Sequence, residues 1–168
     1  FRRNLPNVVT LPQFFKQNGY TTIGLGKTFH NNDPDSISWT VIPQNINGFP
    51  FDPDAVYANE ENLEIQKMKI EKLKAAGKSR IDQLGHWYVK ANATENADVE
   101  DDAYYDGAQT TRAIEILKEL KTANKPFFLS VGYYRPHLPF NAPKKYWDMY
   151  DRNQIPLAKN QFIPEGTP

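Results

Sequence analysis

Cysteine is absent from the 168-residue chain, and this absence excludes several kinds of site. A chain without thiols contains no disulfide, no cysteine nucleophile, and no zinc-finger or iron–sulfur site built on thiolates. The cellular compartment stays open, because many exported proteins also lack disulfides.

An excess of charge of one sign and long apolar runs are lacking as well. The 20 Lys and Arg residues balance the 20 Asp and Glu residues, so the formal net charge is +0 at pH 7. No broad positive field favours nucleic acid or an anionic membrane surface, and no apolar run of about 18 residues could span a bilayer. We therefore expect neither nucleic acid nor a membrane as a partner.

The residues that are present suffice for a folded core. Hydrophobic residues make up 39% of the chain and charged residues 24%, which is typical of a globular domain. The length fits one domain of roughly 100–200 residues. The first residue is not Met, and residues 155–168 read as an extended loop. We therefore expect either a processed small protein or a piece of a longer enzyme.

The first 30 residues predict a helix followed by a strand. Thr10 is a favourable N-cap, and Pro12 suits the first turn of a helix. One apolar face is formed by Leu11, Phe14 and Phe15. Gly19 ends the helix, and residues 20–25 are β-branched and aromatic enough for a buried strand. Together they are the helix–strand half of an α/β unit.

The middle of the chain, residues 31–97, is polar and irregular. A helix is expected from about Asn59 to Ala76, ended by Gly77, with a thin apolar stripe on a solvated surface. That stripe consists of Leu63, Ile70 and Leu73. The aromatic cluster at residues 86–88 is expected to serve packing rather than chemistry.

The last region returns to α/β patterning. Residues 101–106 are acidic, as favoured at a helix start, and this role also explains the Asp101-Asp102 pair. The helix they begin has an apolar face made of Ala113, Ile116, Leu117 and Leu120. A strand buried on both faces is expected at residues 127–133, and a short helix at 143–150. We expect a mostly parallel α/β sheet from residues 1–30 and 98–168, with 31–97 as a polar helical insertion.

Two loops follow the two predicted strands and carry the candidate functional residues. Ligands of open α/β sheets bind beyond the carboxyl ends of the strands. Residues 24–30 place Lys27 and His30 there, and residues 132–140 place Arg135 and His137 there. Cations and imidazoles converging in this way would suit a tetrahedral oxyanion such as sulfate or phosphate.

Other interpretations of these motifs are weaker or structural. The Gly24-x-Gly26-Lys27 sequence lacks the spacing of a phosphate-binding P-loop. The three histidines lack the spacing of a zinc site, so we predict no metal site within this chain, and histidines beside aromatic residues often serve only as structural donors. The Asn92-Ala93-Thr94 sequence is a glycosylation acceptor pattern that also occurs by chance.

Seven ordered segments resemble the sulfatase family, and within it the iduronate-2-sulfatase branch. The resemblance covers about residues 4–32 and 98–168 and leaves the intervening insertion largely unmatched. The segments are TLPQFFKQNGY (10–20), GLGKTFH (24–30), YDG (105–107), KPFFL (125–129), GYYRPHLPF (132–140), PKKY (143–146) and IPLA (155–158).

This resemblance implies an alkaline-phosphatase-like α/β fold and the hydrolysis of sulfate esters. By motif match, Lys27 would contact the sulfate and the formylglycine nucleophile of the family. His30 would orient the formylglycine diol and help release sulfate. His137 would bind a sulfate oxygen near the leaving group, and Arg135 would contact the substrate anion.

The chain also departs from the family pattern. It has no Cys and no Ser-x-Pro-x-Arg motif, so it contains no formylglycine precursor. The aspartates that hold the family's calcium are missing as well. We therefore expect residues 1–168 to be a fragment of a sulfatase catalytic domain, inactive alone, whose partners are the missing parts of the parent chain and a sulfated small molecule or glycan.

Two alternatives remain open at this stage. A phosphate or phosphonate ester hydrolase of the same superfamily would use similar cations, and a catalytically dead carbohydrate-binding module would keep the fold without the reaction. For a sulfatase we expect a periplasmic, extracellular or lysosomal location. We also expect Lys27 and His137 at the same edge of the sheet, at the carboxyl ends of their strands.

Overall fold

The computed structural model describes residues 2–29, 34–41, 56–77, 89–163 and 165–166. The aromatic cluster expected at residues 86–88 lies outside these ranges. Within them the helices are α1 (Leu11–Gln17), α2 (Glu60–Ala75), α3 (Tyr105–Ala123) and α4 (Lys144–Trp147). The strands are β1 (Thr21–Gly26), β2 (Thr94–Glu95), β3 (Phe127–Gly132) and β4 (Phe140–Asn141).

The predicted strands β1 and β3 are neighbours in a parallel sheet. Their register runs from Thr21 opposite Phe127 to Gly26 opposite Gly132. The backbone N–H of Lys27 continues the ladder by donating to the carbonyl of Gly132 at 2.7 Å. The two strands therefore end side by side, and the mixed α/β class expected from the sequence is confirmed.

Helices cover both faces of this strand pair. On one face, the α3 residues Ala113, Ile116 and Leu120 form the main core with Ile23 and Leu25 of β1. On the other face, Phe15 of α1 stacks on Phe128 of β3, with ring centroids 4.8 Å apart. Burial on both faces is what parallel strands require, and each buried large apolar side chain contributes about 1.5–3 kcal/mol.

Local signals decide where the helices begin and end. Thr10 caps α1 in a capping box, in which Gln13 N–H donates to Thr10 Oγ1 at 3.3 Å and Thr10 N–H donates to Gln13 Oε1 at 3.4 Å. Gly19 then adopts the left-handed conformation that ends the turn, with φ of +84°. Helix α3 ends in the same way at Asn124, one residue before Lys125-Pro126.

Strand β3 is less buried than its sequence indicates. The central residues of β1 are buried, whereas those of β3 are half-buried and Phe127 is exposed. The outer edge of β1 is flanked by Thr40, whose N–H donates to the carbonyl of Thr22 at 2.9 Å. Among the described residues, no strand pairs with the outer edge of β3, so its expected burial on both faces is reached only in part.

Helix α2 lies where the sequence predicts a helix, and its contact face combines part of the expected apolar stripe with buried amides. Ile70 packs with Val89 in a small apolar cluster, and Leu73 packs against it. Asn62, Gln66 and Ile70 are buried, whereas Leu63 and Leu73 are half-buried. Gln66 Nε2 donates to the carbonyl of Val89 at 2.9 Å, so amide side chains anchor the helix to the segment that follows it. The expected solvated helix is thus attached through hydrogen bonds as well as through the contact of Ile70 with Val89.

Glu95 is the centre of the polar contact between α2 and β2. The side chain is 6% exposed and accepts hydrogen bonds from Ala58 N, Asn62 Nδ2 and Tyr104 Oη, each at 2.6 Å. Strand β2 pairs in parallel with β4, with Thr94 opposite Phe140. The proposed division into a core and an insertion at residues 31–97 stays a prediction.

Candidate functional site

The loops after β1 and β3 begin at the same edge of the sheet. Because Gly26 and Gly132 are opposite each other in a parallel pair, residues 27 and 133 leave adjacent strand ends. Lys27 is half-buried at this point, and its backbone N–H bonds to Gly132. The structure therefore brings the start of the Lys27 loop next to the start of the loop that carries Arg135 and His137.

The first turn of α3 binds the backbone of the loop after β3. The Asp106 carboxylate accepts one hydrogen bond from Tyr134 N and one from Arg135 N, both at 2.9 Å. The rings of Tyr105 and Tyr134 meet edge to face, with centroids 4.9 Å apart. Cis peptide bonds precede Pro136 and Pro139 in this loop. Its backbone is therefore bound at consecutive residues before His137.

His137 folds back onto the same loop. Its backbone N–H donates to the carbonyl of Tyr134 at 2.9 Å, and its Nδ1 lies 2.8 Å from the same oxygen. A carbonyl accepts only, so we assign the proton to Nδ1. Nε2 is then the ring atom left for contact with a ligand, and the side chain is exposed. This arrangement suits hydrogen bonding of Nε2 to a bound ligand.

Arg135 is half-buried beside His137. Its Nη1 donates to the carbonyl of His137 at 3.3 Å. Burial lowers the pKa of Arg135, while the negative charge of Asp106 opposes that effect. An arginine keeps its charge in proteins, so the loop carries a partly desolvated cation.

The segment before β2 runs beside this loop. Phe140 N donates to the carbonyl of Ala93 at 2.8 Å, and the parallel β2–β4 pairing places residues 90–93 alongside the residues that precede β4. Burial, with a smaller effect of the positive charge of Arg135, lowers the pKa of Lys90 to about 8. Two cations, Lys90 and Arg135, thus influence each other at this end of the sheet.

Two tyrosines complete the surroundings of Arg135. Burial raises the pKa of Tyr57 and of Tyr104, and the charge of Arg135 partly counteracts the rise in both. Tyr57 Oη donates to the carbonyl of Asn92 at 2.8 Å and accepts from Ala91 N at 2.9 Å. Both phenols therefore stay neutral and act as hydrogen-bonding groups around physiological pH.

A shallow groove runs along the outer part of the loop. Its volume is about 240 Å³, and its walls are mainly apolar and aromatic. The lining residues are Arg135, Pro136, Phe140, Asn141, Ala142 and Trp147. A groove of this kind can hold the apolar face of a ring next to the Arg135 cation.

The structure places three of the four predicted site residues. Lys27, Arg135 and His137 lie at the expected edge, and His30 lies outside the described residues. Sequence reasoning did not single out Asp106 or Lys90. It also missed Gln109 of α3, whose Nε2 donates to the carbonyl of Gly132 at 3.0 Å. The Tyr105-Asp106-Gly107 segment was the available signal for Asp106, because an aspartate in a first helical turn is free to bind a neighbouring loop.

The described residues do not form a binding site for the calcium ion that sulfatases use. Across residues 2–29, 34–41, 56–77, 89–163 and 165–166, no group of three or more His, Cys, Asp or Glu side chains is arranged to hold an ion. Asp106 is engaged with backbone N–H groups, and Asp101 pairs with Lys145 at 2.8 Å. Sulfatases in general use calcium and formylglycine, but these residues supply neither.

Comparison with known families identifies the family of the chain. The family model described as Sulfatase matches residues 4–163. The chain belongs to the sulfatase family, whose fold is alkaline-phosphatase-like.

Individual relatives point to the same family. The chain is 31% identical to human iduronate 2-sulfatase over 174 aligned residues, which cover 100% of this chain and 28% of that protein. It is 30% identical to a sulfatase of Formosa agariphila, covering 89% of this chain and 26% of the relative. A 57-residue match, 49% identical, links 34% of the chain to 11% of a multifunctional alkaline phosphatase superfamily protein of Trinickia caryophylli.

The chain thus spans little more than a quarter of the length of the first two relatives. This coverage fits the expectation that residues 1–168 are part of a longer enzyme. The resemblance seen in the ordered motifs is confirmed by the family match.

Proposed function

We propose that this chain is part of a sulfuric ester hydrolase that acts on sulfated carbohydrate. One observation carries the proposal. In a chain of the sulfatase family, the loops with Lys27 and with Arg135 and His137 leave adjacent ends of two register-paired parallel strands. Ligands of α/β sheets bind at this edge, and the residue types suit an oxyanion.

The proposed chemistry is hydrolysis of the sulfate ester to an alcohol and inorganic sulfate. The S–O bond to the alcohol breaks, and the departing oxygen needs a proton. Lys27 neutralises the sulfate oxygens. The doubly protonated ring of His137 delivers the proton from Nε2, because Nδ1 is bound to the Tyr134 carbonyl. The water consumed in the hydrolysis supplies the added sulfate oxygen and returns a proton to the ring. Arg135 attracts the anion, and His30 orients the nucleophile and assists release of sulfate.

The family's nucleophile and calcium are proposed to come from other parts of the protein. A formylglycine supplies the attack on sulfur in sulfatases, and calcium stabilises the sulfate charge. The chain has no Cys, and its described residues contain no metal cluster, so no step is assigned to either group here.

A sulfated carbohydrate is proposed because of the groove beside Arg135. Phe140 and Trp147 offer aromatic surface to a sugar ring, and the Arg135 cation lies at the same groove. Substitution Trp147→Ala in the full-length protein should raise KM for a sulfated disaccharide about tenfold and leave KM for a small aryl sulfate nearly unchanged. Equal effects on both substrates would count against a sugar in this groove.

The central experiment measures turnover of a chromogenic sulfate ester. We expect turnover by the full-length protein, its loss by about 100-fold or more in Lys27→Ala, and none by the isolated 168-residue chain. Turnover by the isolated chain that disappears in Lys27→Ala would refute the need for further segments. The upstream gene sequence is a second test, since a Cys/Ser-x-Pro-x-Arg motif before Phe1 would exclude a dead carbohydrate-binding module.

Phosphate or phosphonate ester hydrolysis is the second candidate. The 57-residue match to the multifunctional alkaline phosphatase superfamily protein supports it, since both oxyanions are tetrahedral. Full-length protein assayed on paired sulfate and phosphate esters decides between them, and we expect the higher kcat/KM on the sulfate ester.

A periplasmic, extracellular or lysosomal location is proposed with the sulfatase function. None of the helices that the structure describes is both long and apolar enough to cross a membrane. A signal peptide in the full gene product, checked by cell fractionation, would support this location, and a cytosolic product would contradict it.

A further inference from the structure

We infer that Asp106 and Gln109, at the start of α3, form a clamp that positions the Lys27 loop and the loop carrying Arg135 and His137. Both are positioning residues, because they act on the site through the loop backbone. The inference rests on the proposed function as far as catalysis is concerned. The clamp itself rests on the hydrogen bonds of the described residues.

Asp106 controls the orientation of one peptide group. The peptide between Tyr134 and Arg135 presents its N–H to Asp106 Oδ2 at 2.9 Å. The carbonyl of the same peptide, that of Tyr134, accepts hydrogen bonds from the backbone N–H of His137 at 2.9 Å and from its ring Nδ1 at 2.8 Å. Rotation of this peptide would move the imidazole, so the carboxylate fixes the ring of His137 through a rigid planar unit.

Both carboxylate oxygens of Asp106 are needed for this contact. Oδ1 accepts from Tyr134 N and Oδ2 accepts from Arg135 N. An ionised carboxylate can accept at both oxygens, whereas an asparagine amide accepts at one and donates at the other. Asparagine would therefore leave one loop N–H facing another donor.

Gln109 joins this loop to the one that carries Lys27. The carbonyl of Gly132 accepts from Lys27 N at 2.7 Å and from Gln109 Nε2 at 3.0 Å. Gln109 is 1% exposed, and its Oε1 would lie 1.9 Å from a Cβ placed on Gly26. The amide thus fits against both strand ends at once, one turn along α3 from Asp106.

The test compares Asp106, in the first turn of α3, with Asp101, in the short 3-10 turn just before α3, in the full-length protein. Asp101 is the matched control, because it pairs with Lys145 at 2.8 Å and accepts from Tyr146 Oη at 3.0 Å. Both of these partners belong to α4 and not to the loop after β3. The variants are Asp106→Asn, Asp106→Glu and Asp101→Asn. The readouts are kcat and KM for a sulfate ester, Tm, and hydrogen exchange of the Tyr134 and Arg135 amides.

We expect Asp106→Asn to lower kcat about 10- to 100-fold with KM changed less than about threefold, because the imidazole is misplaced while the Lys27 contact remains. Asp106→Glu keeps two acceptors and should retain more kcat than Asp106→Asn. Asp101→Asn should lower Tm at unchanged kcat. The inference is overturned if Asp106→Asn matches Asp101→Asn in kcat, or if Asp106→Glu is as impaired as Asp106→Asn.

Hydrogen exchange separates the clamp from the proposed function. A folded wild type without sulfatase activity would refute the function, and exchange would still decide about the clamp. Faster exchange at Tyr134 and Arg135 in Asp106→Asn than in Asp101→Asn supports it, and equal exchange overturns it. If Asp106→Asn does not fold, Gln109→Met is compared with Asp101→Asn instead. Faster exchange of the Lys27 amide in Gln109→Met supports the clamp, and equal exchange overturns it.

Discussion

Gly26 adopts φ of +62° directly before Lys27, and the space around its Cα is filled. A Cβ there would lie 1.9 Å from Gln109 Oε1 and 2.3 Å from the carbonyl of Gly132. Gly19 has a similarly positive φ of +84°, but nothing lies within 4 Å of its Cβ position. A substitution at Gly19 therefore causes backbone strain alone, whereas one at Gly26 causes backbone strain and steric overlap.

Substitution Gly26→Ala should destabilise the protein by about 2–4 kcal/mol, since left-handed strain adds to overpacking. Gly19→Ala should cost only about 1–2 kcal/mol, which is the strain alone. Denaturant unfolding of the two variants measures the difference. Equal losses would mean that the strand ends yield to the added methyl group.

Lys90 provides a pH-dependent prediction at the same scale. Its pKa is lowered to about 8 from the ordinary value of 10.5, mainly by burial. Between these values the unfolded chain binds more protons than the folded one, so this residue makes stability rise as pH increases from about 8 to 10.5. The gain is present above the unfolded pKa and is lost as pH falls through the folded one.

Substitution Lys90→Met should flatten the pH profile of Tm between about pH 8 and 10. The exposed Lys72 of α2 provides the matched control, Lys72→Met. A Lys90→Met profile that keeps the slope of the wild type would contradict the lowered pKa.

At the scale of elements, α2 and β2 are joined by one buried carboxylate. Glu95 accepts from Ala58 N just before α2, from Asn62 Nδ2 in α2 and from Tyr104 Oη. The helix buries Asn62 and Gln66 in addition to Ile70 of the apolar stripe. Buried polar groups need partners, so this contact is stable only while every partner remains.

Substitution Glu95→Gln should lower the free energy of unfolding by about 2–3 kcal/mol, because the amide turns one acceptor into a donor that faces another donor. Glu100→Gln, at an exposed position before α3, should change it by less than about 0.5 kcal/mol. Thermal unfolding measures both. An unchanged free energy of unfolding in Glu95→Gln would show that the hydrogen bonds around residue 95 rearrange.

At the scale of the molecule, the outer edge of β3 determines how the sheet continues. Thr21 N donates to Pro126 O at 2.9 Å and Lys27 N to Gly132 O at 2.7 Å, so the even-numbered residues of β3 face β1. The N–H groups of Phe127, Leu129 and Val131 point the other way, where the described residues place no strand. Exposed edges of this kind favour pairing with a further strand.

In the isolated 168-residue chain, the amides of Phe127, Leu129 and Val131 should exchange about tenfold or more faster than those of Phe128 and Ser130. In a longer chain that contains these residues, the difference should disappear as the edge is paired. Equal protection of all five amides in the isolated chain would contradict an open edge.

Much of this fold follows from local patterns. The capping box at Thr10, the break at Lys125-Pro126 and the apolar face of α3 each depend on residues within about two helical turns, so the sequence predicts these elements. The polar face of α2 could not be predicted in this way, because Asn62 and Gln66 pair with residues some 20 to 30 positions away. Strands β2 and β4 are too short to leave a periodic pattern.

The sequence by itself determined the four helices, strands β1 and β3, the family and the residues at the ends of these two strands, since these depend on spacing and motif. Only the tertiary structure decided that β1 and β3 are direct neighbours in register and that Asp106 binds the backbone of a loop 28 residues away. Strand pairing and loop contacts depend on which distant groups meet, and the free energy of each contact depends on burial. No short segment of the chain encodes which distant residues come into contact or how deeply they are buried.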